Sequence, residues 1–353
     1  MDFIFMSNTE SRREWNVRES NIMFDYTILP SINLGAARGR PTADNILNYN
    51  ILKNLIGANL IVVGGYDYMT YWVVLFWARI LRIPLFLFCE STLYEERMSS
   101  SLRRKLKSLF LSSCKGFIVP GRASREYLRS FGENDNRIFT APNSVDHHFF
   151  LKKANELNPK RDELRNRFGV RGTVFLFVGR MAPEKHVTDL IEAFKRIRGI
   201  GRDAYLVLVG SGPEQPAYEK YCKNNGLQKD VCFAGSRQLE ELPFYYAISD
   251  VLVLPSCSEP WGLVLNEAMA SGLPVITSDR VGAAYDLVVE GRTGFFYPAG
   301  AITVLSEHMD IMCSGKISPE VWRQEVQKHV SAFTPERQAE GFIRAFRNTV
   351  LIK

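Results

Sequence analysis

The stretch Val251-Leu-Val-Leu-Pro255-Ser-Cys-Ser-Glu259-Pro-Trp261-Gly262-Leu-Val-Leu-Asn-Glu267-Ala-Met-Ala-Ser-Gly272-Leu-Pro274-Val-Ile-Thr277 reads as strand, loop, helix and strand. An apolar run closes at Leu254-Pro255, and glycine followed by proline just past a helical pattern is a stop signal, here Gly272-Leu273-Pro274. Glu259 therefore falls in the loop and Glu267 in the body of the helix. A fully helical path over their eight steps would rise about 12 Å at ~1.5 Å per residue. Glycosidase acid pairs stand roughly 5–9.5 Å apart, so these two suit the ends of a long ligand better than a hydrolytic dyad. The helix start at Trp261, Gly262 and Leu263 offers unbonded backbone N–H groups and a positive dipole, a setting suited to phosphate. Acid, anion site and acid match the sugar hydroxyls, phosphates and ribose hydroxyls of a nucleotide-diphosphate sugar. Two ordinary surface glutamates at the same spacing look identical in isolation, so the neighbouring segments must decide.

Outward from this block the second half of the chain repeats its pattern. Apolar runs at Val174–Val178, Tyr205–Val209, Val231–Ala234, Val251–Leu254, Val275–Thr277 and Gly294–Tyr297 alternate with helical patterns at Val187–Arg198, Pro213–Asn224, Leu239–Ile248, Gly262–Ser271 and Gly282–Val289. Continuous apolar strands alternating with helices predict a parallel sheet covered on both faces. The first half does the same more loosely, with strands at Phe3–Met6, Tyr26–Leu29, Leu60–Val63, Leu85–Phe88, Phe117–Val119 and Ile138–Thr140. Lys152–Arg167, charged and poor in aromatics, separates the halves. The organisation read from this is an N-terminal domain over 1–150, a linker over 151–172, a C-terminal domain over 173–330 and a terminal helix over 331–353 that packs back on the first domain. The fold class is α/β, two doubly wound Rossmann-like domains facing a cleft.

Composition sets few limits beyond that. A chain of 353 residues with 46% hydrophobic and 23% charged content is long enough for two domains with separate cores. The formal net charge of +6 is mild; it accommodates anionic ligands or lipid headgroups without singling out nucleic acid. Six cysteines without a C-x-x-C pair or zinc-like spacing read as reduced thiols. The opening Met1-Asp2-Phe3 is not a signal peptide, which points to a cytoplasmic protein. Tyr71–Phe88 is broken by Arg79, Arg82 and Pro84 and reads as a helix followed by a buried strand, not a membrane span.

Doubly wound sheets bind ligands beyond the carboxyl ends of their strands. After Val174–Val178 comes Gly179-Arg180-Met181-Ala182-Pro183-Glu184-Lys185, two cations at a strand end. After Tyr205–Val209 comes Gly210-Ser211-Gly212-Pro213, a turn that needs flexible backbone. After Val251–Leu254 comes the Glu259 loop. There is no G-x-G-x-x-G and no P-loop lysine, which argues against nicotinamide, flavin and P-loop nucleotide chemistry.

Gly179-Arg180-Met181-x-x-x-Lys185, Val209-Gly210-Ser211-Gly212-Pro213, Phe233-Ala234-Gly235 and Ser258-Glu259-Pro260-Trp261-Gly262-Leu263-x-x-x-Glu267-Ala268 stand in that order and together resemble the C-terminal domain of the retaining GT-B glycosyltransferases of family 4. Ala141-Pro142-Asn143-Ser144-Val145-Asp146 resembles a loop of the same family's first domain. The resemblance implies that Arg180 and Lys185 bind the donor diphosphate, helped by Gly179, Gly210, Ser211, Gly212, Gly235 and the N–H groups at Gly262 and Leu263. It implies Glu267 on the ribose and Glu259 at the sugar, with Pro260 and Trp261 beside it and Asn143 on the other side. It also implies transfer with retention, the leaving phosphate taking the acceptor's proton, and no metal or other cofactor. The expected partners are a nucleotide sugar and a saccharide or lipid-linked saccharide acceptor, in cell-surface polysaccharide biosynthesis.

Three features depart from that family or go beyond it. Asp2–Met6 already reads as the family's second strand and Phe24–Leu29 as its third, so an opening strand, loop and helix have no counterpart, and weak turnover by this chain alone is expected. Many relatives place a histidine after the Leu85–Phe88 strand; here Cys89-Glu90-Ser91-Thr92 follows, and Glu90 is a candidate hydroxyl contact or base. Leu102, Leu106, Leu109 and Phe110 recur at i, i+4, i+7 and i+8 with Arg103, Arg104, Lys105 and Lys107 largely opposite, a basic amphipathic helix able to touch an anionic membrane from the cytoplasmic side; a sheet-covering helix with a solvated face is equally consistent. The rival functional readings are a non-catalytic or impaired sugar-nucleotide-binding protein of the same fold and a sugar-nucleotide epimerase.

Overall fold

The computed structural model describes residues 3–5, 25–33, 46–94, 101–316 and 318–350. The chain divides into two compact units: residues 1–89, 96–118 and 131–139 form the first, and residues 90–95, 119–130 and 140–353 the second. The segments that follow three strands of the first sheet thus cluster with the second unit.

In chain order the elements up to residue 140 are β1 (Phe3–Phe5), β2 (Tyr26–Ile28), β3 (Ile32–Asn33), β4 (Ile46–Leu47), α1 (Leu52–Leu55), β5 (Ile61–Val63), α2 (Met69–Ile80), β6 (Leu85–Phe88), α3 (Ser101–Ser113), β7 (Gly116–Val119), α4 (Arg122–Arg129) and β8 (Ile138–Thr140). Four of these strands make a sheet in the order β5-β6-β7-β8, with β5 and β6 and then β6 and β7 parallel. Phe86, Leu87, Phe117 and Ile118 are buried in it, as the apolar runs required. β1 and β2 form a separate parallel pair. Met6 and Phe24, which the sequence reading included in these strands, lie outside the described residues. The reading of Tyr71–Phe88 holds: helix α2, then buried strand β6.

After residue 140 come α5 (His147–Leu157), α6 (Arg161–Phe168), β9 (Thr173–Val178), α7 (Val187–Gly199), β10 (Ala204–Val209), α8 (Gln215–Asn224), β11 (Val231–Gly235), α9 (Leu242–Ile248), β12 (Val251–Leu254), α10 (Leu263–Ala270), β13 (Val275–Ser278), α11 (Ala284–Leu287), β14 (Gly294–Tyr297), α12 (Ile302–Cys313), α13 (Pro319–Val330) and α14 (Pro335–Val350). The sheet of this unit is parallel and six-stranded, in the order β11-β10-β9-β12-β13-β14. The first strand therefore lies at the centre and the chain winds outward in both directions, so the topological switch point falls between β9 and β12. That geometry places the loops after β9 and β12 side by side. β12 and the inner part of β9 are wholly buried, which is why they appear in the sequence as unbroken apolar runs rather than alternating ones.

Two regions differ from their sequence reading. The charged Lys152–Arg167 segment is helical, lying in α5 and α6, because Phe150 enters the core and Arg161 and Arg165 lie on one helix face. The helix expected over Gly282–Val289 shrinks to a single turn, α11. Its leading residues are instead held in a ladder, Gly282 N donating to Glu259 O at 2.9 Å and Ala283 N to Trp261 O at 3.0 Å. The terminal helix α14 rests on the segment after β8: Gln338 Nε2 donates to Asn143 Oδ1 at 3.2 Å and Arg344 to the Thr140 carbonyl at 3.2 Å. All six cysteines are free thiols.

Candidate functional site

The second unit gathers its chemistry at the carboxyl ends of β9, β10, β11, β12 and β13. The first two loops are built on glycine because they press against each other. Gly210 sits at φ +130°, and a Cβ there would run into the Gly179 carbonyl; one at Gly212 would meet the Met181 backbone. Met181 N donates to Ser211 O at 2.8 Å, and Gly210 N to Gly235 O at 2.9 Å. The Ser211 and Ser236 hydroxyls are 2.7 Å apart. Gly179, Gly210, Ser211, Gly212 and Gly235 thus form one floor of closely approaching backbone, above which Arg180 is exposed.

Lys185 ends a short 3-10 turn, Pro183–Lys185, and its ammonium forms an ion pair with the Glu259 carboxylate. Both side chains are largely shielded, at 18% exposure each. Adjacent strands β9 and β12 bring the two loops together, and Cys257 N donating to Glu184 O at 2.9 Å fastens them. Residues that the sequence reading placed at successive parts of a ligand, diphosphate and sugar, therefore touch each other directly.

α10 begins and ends where the glycines place it. Gly262 stands before it at φ +95° and Gly272 after it at φ +91°, with Leu273 N donating back to Ala268 O at 2.9 Å in the manner of a C-terminal cap. Its first N–H groups, at Leu263 and Val264, have no partner one turn back within the helix. Trp261, expected to face the ligand, turns inward: its indole is 4% exposed and donates to Asn266 Oδ1 at 2.9 Å. Asn266 in turn donates to the Asn143 carbonyl at 3.3 Å, so the tryptophan supports the loop rather than lining it.

Glu267 lies one turn into α10 and accepts a 2.6 Å hydrogen bond from the hydroxyl of Tyr246, a fully buried residue of α9. Burial pushes the Glu267 carboxyl up from 4.5 to about 7, against the opposing pull of the Tyr246 O–H. The two glutamates of the opening stretch are thus in different chemical states near neutrality, Glu259 paired with a cation and Glu267 on the edge of ionisation. This has a signed consequence. A raised acid pKa means that the native state keeps its proton while the unfolded chain loses it, so stability falls as pH rises between about 4.5 and 7. We expect Glu267→Gln to flatten that part of the stability profile, measured by denaturant midpoints at a series of pH values. A Glu267→Gln profile with the same slope there as the wild type would contradict the assignment.

Glu90 and Asn143, both expected at the site, are brought together by the structure: Asn143 Nδ2 donates to Glu90 Oε1 at 2.5 Å. The Glu90 backbone carbonyl accepts from Ser124 Oγ at 3.1 Å. Sequence reasoning missed a neighbouring cluster. The Tyr94 and Tyr285 hydroxyls are 2.7 Å apart, and the Arg280 guanidinium lies 4.5 Å from the Tyr94 ring centre. It adjoins the Glu259 loop, since Glu259 N donates to Arg280 O at 3.2 Å. A strand-end position after β13 was the available signal; the helical reading of Gly282–Val289 hid it. Among the described residues no group of three or more His, Cys, Asp or Glu side chains is placed to hold a metal ion, and no helix is long and apolar enough to cross a membrane.

Part of the chain is similar to known sugar-transferring proteins. Residues 160–329 match the family model described as glycosyl transferases group 1. The alpha-D-kanosaminyltransferase of Streptomyces kanamyceticus is 35% identical over 147 residues, 41% of this chain and 38% of that protein. The alpha-monoglucosyldiacylglycerol synthase of Acholeplasma laidlawii is 26% identical over 209 residues, 58% of this chain and 52% of that one. The chain thus spans about half the length of these curated relatives or less. Among solved structures, Anabaena Alr3699/HepE in complex with UDP superposes with a TM-score of 0.75 at 19% identity, over 92% of this chain and 86% of that one. The sucrose-phosphate synthase of Thermosynechococcus elongatus gives 0.68 at 23% identity, over 87% and 77%. The fold is GT-B: two α/β domains, each on a parallel sheet.

Proposed function

We propose that the protein is a retaining, metal-independent glycosyltransferase of family 4 that moves a sugar from a nucleotide-diphosphate sugar to a saccharide or lipid-linked saccharide. The observation that carries this reading is the convergence of Arg180, the Lys185–Glu259 pair, the glycine floor and the α10 N-terminus at the carboxyl end of one sheet. The names of the relatives support it, since they are sugar transferases and synthases, and one matched structure holds UDP.

In this reading the donor diphosphate lies over the Gly179 and Gly210 loops. Arg180 and Lys185 stabilise the charge that grows on it as the sugar–oxygen bond breaks, together with the N–H groups after Gly262. The diphosphate oxygen is the leaving group, and it accepts the proton of the acceptor hydroxyl that attacks on the same face. Glu259, released from Lys185 as the phosphate takes its place, holds the sugar hydroxyls and stabilises the positive charge at the anomeric carbon. Glu267 accepts the ribose hydroxyls, a task for its ionised form. Donor affinity is therefore expected to rise with pH through about 7. Glu267→Gln removes that dependence in a titration with UDP. Glu90, oriented by Asn143, is the candidate contact for an acceptor or sugar hydroxyl.

The test is a panel of UDP-, GDP- and ADP-sugars, measuring both nucleotide release and transfer to saccharide acceptors, with the anomeric configuration of the product read by NMR. A product of inverted configuration rejects the retaining mechanism. Binding of a donor without release of nucleotide leaves a sugar-nucleotide-binding protein, and interconversion of one nucleotide sugar into its epimer leaves a sugar-nucleotide epimerase.

A further inference from the structure

Most of the apolar stripe of α3 faces away from the core. Phe110 and Leu111 are fully buried, but Leu102, Leu106 and Leu109, at i, i+4 and i+7, are 65%, 45% and 54% exposed. α2 does the same: Val74, Leu75 and Ala78 are buried, while Phe76 and Ile80 are 57% and 54% exposed. Scattered exposed leucines are ordinary on a protein surface; two adjoining rows of them are not.

The rows adjoin because the crossovers β5-α2-β6 and β6-α3-β7 step in the same direction along the sheet. Right-handed connections then put both helices on one face. Their inner sides meet through Trp72 and Phe110, ring centres 5.1 Å apart. Their outer sides are joined where Arg79 of α2 donates to Ser113 Oγ of α3 at 3.3 Å. Ser113 itself bonds back to the Leu109 carbonyl at 2.8 Å. Leu109 therefore lies near the Phe76–Ile80 edge of α2.

The charge on this surface has one sign. Neither α2 nor α3 contains an aspartate or glutamate. Arg79, Arg82, Arg103 and Lys105 are exposed alongside the apolar rows, with long stems that can lie along apolar surface while the charged ends reach outward. Exposed leucine, isoleucine and phenylalanine interleaved with cations alone match a bilayer interface of anionic headgroups over acyl chains.

We propose that α2 and α3 of the first unit form a two-helix surface that docks reversibly on an anionic phospholipid membrane, with Phe76, Ile80, Leu102, Leu106 and Leu109 entering the acyl boundary. The inference stands on this surface alone and not on the donor site. Its test is flotation of the full chain with vesicles of phosphatidylcholine, or of phosphatidylcholine mixed with phosphatidylglycerol, with UDP binding followed in parallel.

The chain is expected to float with the mixed vesicles and not with phosphatidylcholine alone. Leu106→Ser with Leu109→Ser, and separately Phe76→Ser with Ile80→Ser, should each reduce vesicle binding by about tenfold or more, since binding scales with buried apolar area. Lys105→Gln should weaken it about fivefold, the effect of one cation near such a surface. These side chains are exposed, so melting temperature and UDP binding should stay unchanged in all three variants. Absence of flotation in a chain that still binds UDP overturns the proposal, as does flotation undiminished by both apolar double variants. Concentration-dependent self-association that the same variants abolish, without flotation, assigns the surface to a second copy of the chain and also overturns it.

Discussion

Lys185→Ala is expected to lower turnover about 10²–10³-fold, roughly 2.7–4 kcal/mol in barrier, the effect of removing one preorganised donor from a developing oxyanion. Arg180→Ala should cost a similar amount, and the two side chains reach their task differently. Arg180 is exposed, and among the described residues its guanidinium makes no ion pair or hydrogen bond, so its removal should leave the fold and melting temperature untouched. Lys185 is held against Glu259, both mostly shielded, so its removal also leaves a half-buried carboxylate without its cation. The comparison that separates the two effects is the double variant Lys185→Ala with Glu259→Gln. If the lysine acts on the diphosphate, the double variant regains stability and loses clearly more turnover than Glu259→Gln alone. A double variant no slower than Glu259→Gln alone would make Lys185 a positioning residue for Glu259. Near-normal turnover in both Arg180→Ala and Lys185→Ala would remove the diphosphate assignment altogether. The readouts are kcat and KM for the donor identified by the panel, with thermal melts of each variant.

The strands of the second unit could be located from sequence because burial on both faces leaves runs such as Leu252-Val253-Leu254 with nothing polar to interrupt them. The limits of α10 were legible for a related reason: at Gly262 and Gly272 the backbone takes a left-handed conformation that side chains disfavour, and the sequence marks both with glycine. Partnerships were not legible. Lys185 and Glu259 are 74 residues apart, and only the β9–β12 adjacency, a property of the winding order, makes them neighbours. Tyr246 sits in the apolar pattern of α9, where its hydroxyl gives no sign of the carboxylate that it holds. Trp261 illustrates the limit of a motif: its place in the sequence suggests a ligand wall, while the choice of Asn266 as indole partner turns it inward. Periodicity likewise identified the α3 stripe without revealing which way it faces, since a helix buried against a sheet and one presented outward have the same 3.6-residue spacing.

Asp250→Ala is the substitution expected to cost most in stability, about 3 kcal/mol, the lower end of what breaking a buried ion pair costs. The residue precedes β12 at the end of the sheet opposite the loops that carry the chemistry. Its Oδ1 accepts from Arg161 at 2.6 Å, and its Oδ2 from Arg165 at 2.9 Å and from the Val174 backbone N–H at 2.7 Å. The three side chains are only 13–22% exposed, so solvent does little to replace the lost interactions. The same arginines also donate to the carbonyls of Ala247, Ile248 and Ser249, which fixes α6 to the end of α9. One carboxylate thereby connects the helical segment between the halves, the first strand of the sheet and the strand beside it. Removing it leaves two guanidinium groups without a counterion and an N–H of the central strand without an acceptor. Asp250→Asn should cost less, because an amide oxygen can still accept from Val174. Combining Asp250→Ala with Arg161→Gln and Arg165→Gln should cost less than the sum of the separate losses, as members of one network do. Urea unfolding of the wild type, the four single variants and the triple variant gives these differences directly. A loss below about 1 kcal/mol for Asp250→Ala would place the cluster with solvent-screened surface pairs.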